Sequence, residues 1–165
     1  FGGAIFLITL TVILFILIKN KKIGLSILTN LVVIAGLNQV IKRILQRPRP
    51  TEYKIIEETG YSFPSGHSMV SMAFYGYLIY LIYKYVKNKY IKWISIIALS
   101  ILICFIGISR IYLGVHYTSD VLGGFLLSIS YLIIYVSVVN KFLIVTTDIY
   151  NNIEMKKIKK EISKN

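Results

Sequence analysis

Charged residues leave long gaps along this chain. No Asp, Glu, Lys or Arg falls within Phe1–Ile18, Ile23–Ile41, Thr59–Tyr83, Trp93–Ser109 or Val121–Asn140. Four of these stretches are dominated by Ile, Leu, Val and Phe. The third opens on a polar segment and turns apolar only after His67. A bilayer core of ~30 Å is crossed by about 20 helical residues, and every stretch is near that length. Membrane barrels show ~10-residue segments of alternating polarity instead, and this chain has none. The pattern predicts an all-α, polytopic membrane helix bundle with five transmembrane helices. The expected organisation is a transmembrane domain over residues 1–147 and a Lys-rich cytoplasmic tail over 148–165. In that tail Ile149, Ile153, Ile158 and Ile162 recur near the helical period.

Composition narrows the class. The 165 residues are 56% hydrophobic and 16% charged, whereas soluble domains run near ~25% charged. An ordinary soluble globule and a disordered chain are both excluded. The single cysteine, Cys104, excludes a disulfide scaffold and a cysteine zinc site. Inside an apolar span it is expected to serve packing. The net charge is +12, but a nucleic-acid partner requires that charge on a soluble face. Here it sits at span ends, so no nucleic-acid partner is expected.

The basic residues also set a direction. Lys19, Lys21, Lys22, Lys84, Lys87, Lys89, Lys92 and the lysines of the tail fall on one side of the five spans. Lys42, Arg43, Arg47, Arg49, Lys54 and Arg110 fall on the other, together with Glu52, Glu57, Glu58 and Asp120. The positive-inside rule puts the Lys-rich side in the cytoplasm. Tyr80, Tyr83, Tyr85, Tyr90 and Trp93 crowd that side as an aromatic belt would. The first span then runs from outside to inside, and the chain begins on Phe1. The expectation is that a sixth helix precedes it; a cleaved signal peptide is the alternative.

Charge near a span end on the outer side asks for a reason. One cluster runs from Lys42 to Pro50 and contains Arg47 and Arg49. A second is Ser62-Phe63-Pro64-Ser65-Gly66-His67-Ser68. A third joins Ser109-Arg110 to His116 and Asp120. Lys42, Arg49 and Arg110 only donate hydrogen bonds; converging, they make a clamp for phosphate or sulfate. Pro64-Ser65-Gly66 reads as a helix start, where bare N–H groups bind anions and glycine lets the backbone approach. His116 and Asp120 share a face if both are helical, and a turn before the helix also brings them together. A carboxylate on one imidazole nitrogen fixes the tautomer and leaves the other as nucleophile or base. His67 is then a second acid-base group. These are the parts of phosphoryl transfer. Taken singly, each cluster is equally an ordinary feature: a stiff basic loop, a helix cap, a structural hydrogen bond. Both histidines, three cations and a carboxylate on one membrane face are not.

Together the clusters resemble the three signatures of the type 2 phosphatidic acid phosphatase superfamily. Lys42, six residues, then Arg49-Pro50 is similar to the first. Pro64-Ser65-Gly66-His67 is similar to the second. Ser109-Arg110, five residues, His116, three residues, Asp120 is similar to the third. The resemblance covers about Ile23 to Asn140. It implies a six-helix membrane enzyme with its site on the outer face, needing no cofactor and no metal. It further implies that His116 attacks phosphorus, that Asp120 orients it, and that His67 acts as acid and then base. Lys42, Arg49 and Arg110, with Ser65 and the Gly66 amide, would bind the phosphate. The substrate would be a lipid phosphate: undecaprenyl diphosphate, phosphatidylglycerophosphate or phosphatidic acid. A lipid phosphotransferase would carry the same residues. Two other readings compete. A metal site of His67, His116 and Asp120 leaves three cations repelling the metal. A transporter or structural membrane protein calls for charge in mid-span, and here the charge sits at the ends.

Overall fold

The structure, a computed structural model, describes residues 2–52 and 54–162, with side chains described as far as residue 142. All regular elements among the described residues are helices: α1 (Ala4–Leu17), α2 (Lys21–Leu45), α3 (Gly66–Tyr85), α4 (Lys89–Tyr112) and α5 (Thr118–Ile162). Short polar segments start them. Asn20 caps α2 by accepting from the Lys22 amide, and Asn88 caps α4 by accepting from that of Ile91, both at 3.1 Å. Lys21 Nζ donates to the Phe15 and Ile16 carbonyls, which α1 leaves without helical partners. At its other end α2 stops at Gln46, whose φ of 45° is left-handed, and the prolines that follow forbid its resumption.

The five expected spans correspond to these five helices, but not on equal terms. Three regions are long and apolar enough to cross a membrane: Lys21–Leu45, Lys89–Tyr112 and Thr118–Phe142. Helix α1 has 14 residues, about 21 Å at 1.5 Å each, short of a full hydrocarbon core. Helix α3 is long enough at 20 residues, yet it carries Ser, His and Tyr. Its position explains this. Met69, Ala73, Phe74, Tyr75 and Tyr77 are all buried, so α3 is surrounded by protein and not by lipid. Its polar groups find partners there, as when Tyr77 Oη donates to Ser26 Oγ of α2 at 2.8 Å. On α4 the arrangement is inverted. Ile94, Ile97, Ile101, Phe105 and Ile108 form an exposed apolar stripe at helical spacing, the face a lipid-solvated helix presents. Cys104 is exposed on that helix, contrary to the packing role expected of it; a span apolar on every side gives no sign of which face turns inward.

The chain divides into two compact units, Phe1–Ile133 and Ile134–Asn165. The first holds α1 to α4 and the start of α5. The second continues α5 as helix to Ile162; the side chains of the expected tail, 148–165, lie outside the described residues. Within the first unit, small residues let α5 close on its neighbours, as in many membrane bundles. A Cβ on Gly124 would lie 3.2 Å from the Met69 amide nitrogen and 3.3 Å from the Ser65 carbonyl oxygen. These are the atoms of the first hydrogen bond of α3, 2.9 Å long, and backbone cannot give way as a side chain can. Gly124→Ala is expected to destabilise the protein by about 1–3 kcal/mol through overpacking. A thermal midpoint in detergent equal to that of the wild type would contradict this.

Candidate active site

The C-terminal ends of α2 and α4 and the N-terminal ends of α3 and α5 meet at the same end of the first unit. Lys42, Arg47, Arg49, Ser62, Ser65, Arg110, His116 and Asp120, from all three charged clusters, are therefore brought to that end. Asp120, in the first turn of α5, anchors it. Its carboxylate is completely buried and satisfied three ways. Arg47 Nη1 donates to Oδ1 at 2.7 Å, the Tyr117 amide donates to Oδ2 at 2.9 Å, and Ser62 Oγ donates to Oδ2. The Asp120 backbone carbonyl accepts from the Ser65 amide at 3.1 Å, tying the start of α5 to the start of α3. Arg47 also lies over the Tyr117 ring, 4.4 Å from its centroid.

His116 sits in the turn between α4 and α5, not on the helix. Because α5 starts at Thr118, the turn, and not a shared helical face, brings it to Asp120. Its Nδ1 is 3.5 Å from Asp120 Oδ2 and 3.4 Å from Ser62 Oγ. Its Nε2 faces Arg49, whose Nη1 is 3.2 Å away. A guanidinium only donates, so Nε2 carries the lone pair and Nδ1 the proton, which has Ser62 Oγ as its hydrogen-bond partner with the Asp120 carboxylate beside it. Burial lowers the His116 pKa to about 4, with the Arg49 and Lys42 charges adding to the shift; Asp120 and Glu58 oppose it. The ring is thus neutral at ordinary pH, with a lone pair aimed at a cluster of cations.

Arg49 organises that cluster. Its Nη1 donates to the Val115 carbonyl at 3.0 Å, Nη2 to that of Thr59 at 3.1 Å and Nε to that of Gly60 at 3.0 Å. It thereby ties the α2–α3 connection to the turn that carries His116. Gly60 has a φ of 75°, a conformation natural to glycine, and this turns its carbonyl region toward Arg49. Lys42, in the last turn of α2, is buried and donates to the Tyr61 carbonyl and, at 3.4 Å, to that of Ser62. Arg110, in the last turn of α4, reaches Glu58 Oε1 at 3.4 Å. The three expected cations do converge.

The remaining expected residues lie at the start of α3. Ser65 is its N-cap, and the buried hydroxyl accepts from the Ser68 amide at 3.4 Å and the Ser68 hydroxyl at 3.0 Å. That side chain shapes the helix start. Gly66 lies against α2, where a Cβ would meet Asn38 Oδ1 at 3.3 Å and Lys42 Cε at 4.0 Å. His67 joins two cavities. One, of about 300 Å³, is lined by Leu7, Ile8, Leu31, Ala35 and Val70 besides His67 itself. The other, of about 280 Å³, brings His67 beside Ser109 and Arg110. Among the described residues, no three His, Cys, Asp or Glu side chains gather as a metal-ligand group.

Three participants escaped the sequence reading of the site. Arg47 and Ser62 carry no assigned role in the sequence analysis. Glu58 looked no different from its neighbour Glu57. Only the third had no signal of its own; Arg47 and Ser62 at least stood inside two of the clusters.

The fold and this pocket define a polytopic membrane protein with a buried, neutral histidine facing a pocket of fixed cations. Residues 21–144 match the PAP2 superfamily, and the chain belongs to that family. It is 42% identical over 95 residues to phosphatidylglycerophosphatase B of Bacillus subtilis, covering 56% of this chain and 46% of that protein. It is 31% identical over 126 residues to an undecaprenyl-diphosphatase of Sulfolobus acidocaldarius, covering 73% and 57%. The chain thus spans about half the length of these curated relatives. Its structure is similar to the crystal structure of a transmembrane PAP2-type phosphatidylglycerolphosphate phosphatase from Bacillus subtilis, with a TM-score of 0.76 and 34% identity over 85% of this chain and 72% of that one. It is also similar to LpxE of Aquifex aeolicus, with a TM-score of 0.64 and 27% identity, covering 82% and 79%.

Proposed function

We propose that this protein is a lipid phosphatase that hydrolyses a phosphate monoester or diphosphate through a phosphohistidine. The observation that carries the reading is the geometry at His116: Nδ1 lies 3.5 Å from the buried Asp120 carboxylate, and Nε2 is turned to Arg49. The relatives' names and the shared family support it.

In the first step the Nε2 lone pair of His116 attacks phosphorus and forms an N–P bond. The bond from phosphorus to the lipid oxygen breaks, and His67 gives that oxygen a proton. Lys42, Arg49, Arg110 and the N–H groups at Gly66 hold the equatorial oxygens as their charge redistributes. Asp120 accepts from Nδ1–H and stabilises the cationic ring. In the second step a water attacks phosphorus while His67 takes its proton; the N–P bond breaks, and inorganic phosphate and neutral His116 are released. The apolar cavity beside His67 suits the first methylenes of a lipid chain. The Lys-rich helix ends lie at the other end of the bundle, and the positive-inside rule, which favours them in the cytoplasm, supports a site on the outer face of the cell membrane.

Phosphate release is the test. The protein in detergent would be given phosphatidylglycerophosphate, undecaprenyl diphosphate and phosphatidic acid, with and without EDTA. Release from at least one lipid, unchanged by the chelator, is expected. Folded protein that releases none from any of them would end the proposal.

A further inference from the structure

Glu58 occupies a position that the mechanism gives to something else. Its Oε2 is 3.0 Å from Arg49 Nη1 and 3.8 Å from His116 Nε2, and its Oε1 is 3.4 Å from Arg110 Nη1. One carboxylate thus bridges two guanidinium groups directly in front of the histidine lone pair. A carboxylate and a phosphate oxygen pair use the same bidentate donors, so the two anions compete for one place. We infer that Glu58 is a tethered anion that holds the phosphate-binding donors and is displaced by the substrate phosphate, so that it sets how tightly that phosphate binds. The inference rests on the reading of this pocket as a phosphate site.

The surroundings fit a side chain that moves and a backbone that stays. The Glu58 side chain is 23% exposed, so it has an open direction in which to swing. Arg49 holds the next two residues through the Thr59 and Gly60 carbonyls, and these bonds do not involve the carboxylate. The Ile55 amide donates to the Leu113 carbonyl at 3.1 Å, anchoring the same connection to the end of α4. A plain structural ion pair would need no contact with Nε2. Glu57, next in the chain, is exposed and is the natural control for charge alone.

The test is direct binding of inorganic phosphate by calorimetry on the detergent-solubilised protein, beside lipid-phosphate kinetics. If the carboxylate holds the donors nine times in ten, its removal strengthens phosphate binding about 10-fold. Glu58→Gln is therefore expected to lower the phosphate dissociation constant and the KM together, with kcat little changed. Glu58→Asp, which withdraws the carboxylate but keeps its charge, is expected to give a smaller gain and serves if the glutamine variant does not fold. Glu57→Gln is expected to leave both constants near their wild-type values. Unchanged or weaker phosphate binding in folded Glu58 variants overturns the inference, as does an equal gain in Glu57→Gln. It is likewise overturned if neither wild type nor Glu58→Gln binds phosphate. Tighter phosphate binding by Glu58→Gln in a protein that hydrolyses no lipid would support the tethered anion while removing the phosphatase reading.

Discussion

His116→Ala is expected to reduce phosphate release by about 10⁴-fold or more, as loss of a nucleophile does in other covalent mechanisms. The substitution removes the atom that bonds to phosphorus, and no other described side chain presents a buried neutral lone pair to Arg49. The protein should still fold and bind phosphate, because Lys42, Arg49 and Arg110 are anchored mainly on carbonyls of the chain and on Glu58. Acid-quenched, labelled substrate should leave phosphate on the wild-type protein and none on the variant. A phosphoenzyme that persists in His116→Ala would refute the assignment. The same ring makes a statement about pH. Its pKa is lowered to about 4, so acidification protonates it, and removes the nucleophile, near that value and not near the ordinary ~6.5 of histidine. The acid limb of kcat/KM is expected well below pH 6. Arg49→Gln removes one of the charges that lower this pKa, and should move the limb upward.

Asp120→Asn is expected to cost about 10²–10³-fold in kcat, less than loss of His116 and within the range for acid-base positioning. The carboxylate accepts from Arg47, Ser62 and the Tyr117 amide, and faces Nδ1 of His116. An amide of the same shape must turn an NH₂ toward one of those donors. It also surrenders the charge that favours the protonated Nδ1 and the cationic intermediate. Because Asp120 acts through His116, kcat should fall while KM changes little. An Asp120→Asn defect larger than that of His116→Ala would reverse the assigned roles. So would a defect seen only in KM.

The two histidines illustrate how much of the site could be read in advance. Their grouping with Lys42, Arg49, Arg110 and Asp120 followed from sidedness: in a chain of spans, residues at alternate span ends share a membrane face. The convergence of the cations followed from that grouping and the signature spacings. What escaped was the second layer. Arg47 and Arg49 are two residues apart with similar surroundings in sequence, yet one binds Asp120 and the other faces His116. Which does which depends on the path of the connection after Gln46. The resemblance implies that Ser65 binds phosphate; its hydroxyl oxygen accepts from the Ser68 amide and hydroxyl at the start of α3, and its own proton stays free to donate.

The order of apolar and charged residues is enough to set the class of fold and the end of the bundle where the charged clusters gather. Burying an apolar helix in lipid and keeping charge at its ends are demands of the solvent, and a one-dimensional pattern records them. It did not determine which helix lies at the centre. Helix α3 is less apolar than its neighbours because protein surrounds it, and α4 turns its apolar stripe outward because lipid does. Helices apolar all round carry no mark of facing, so only their packing decides it. Nor did it distinguish Glu58 from Glu57. That difference arises where the connection turns at Gly60, held by Arg49 from beyond α2 and by Leu113 from the end of α4, so that one carboxylate reaches the cations and its neighbour reaches water.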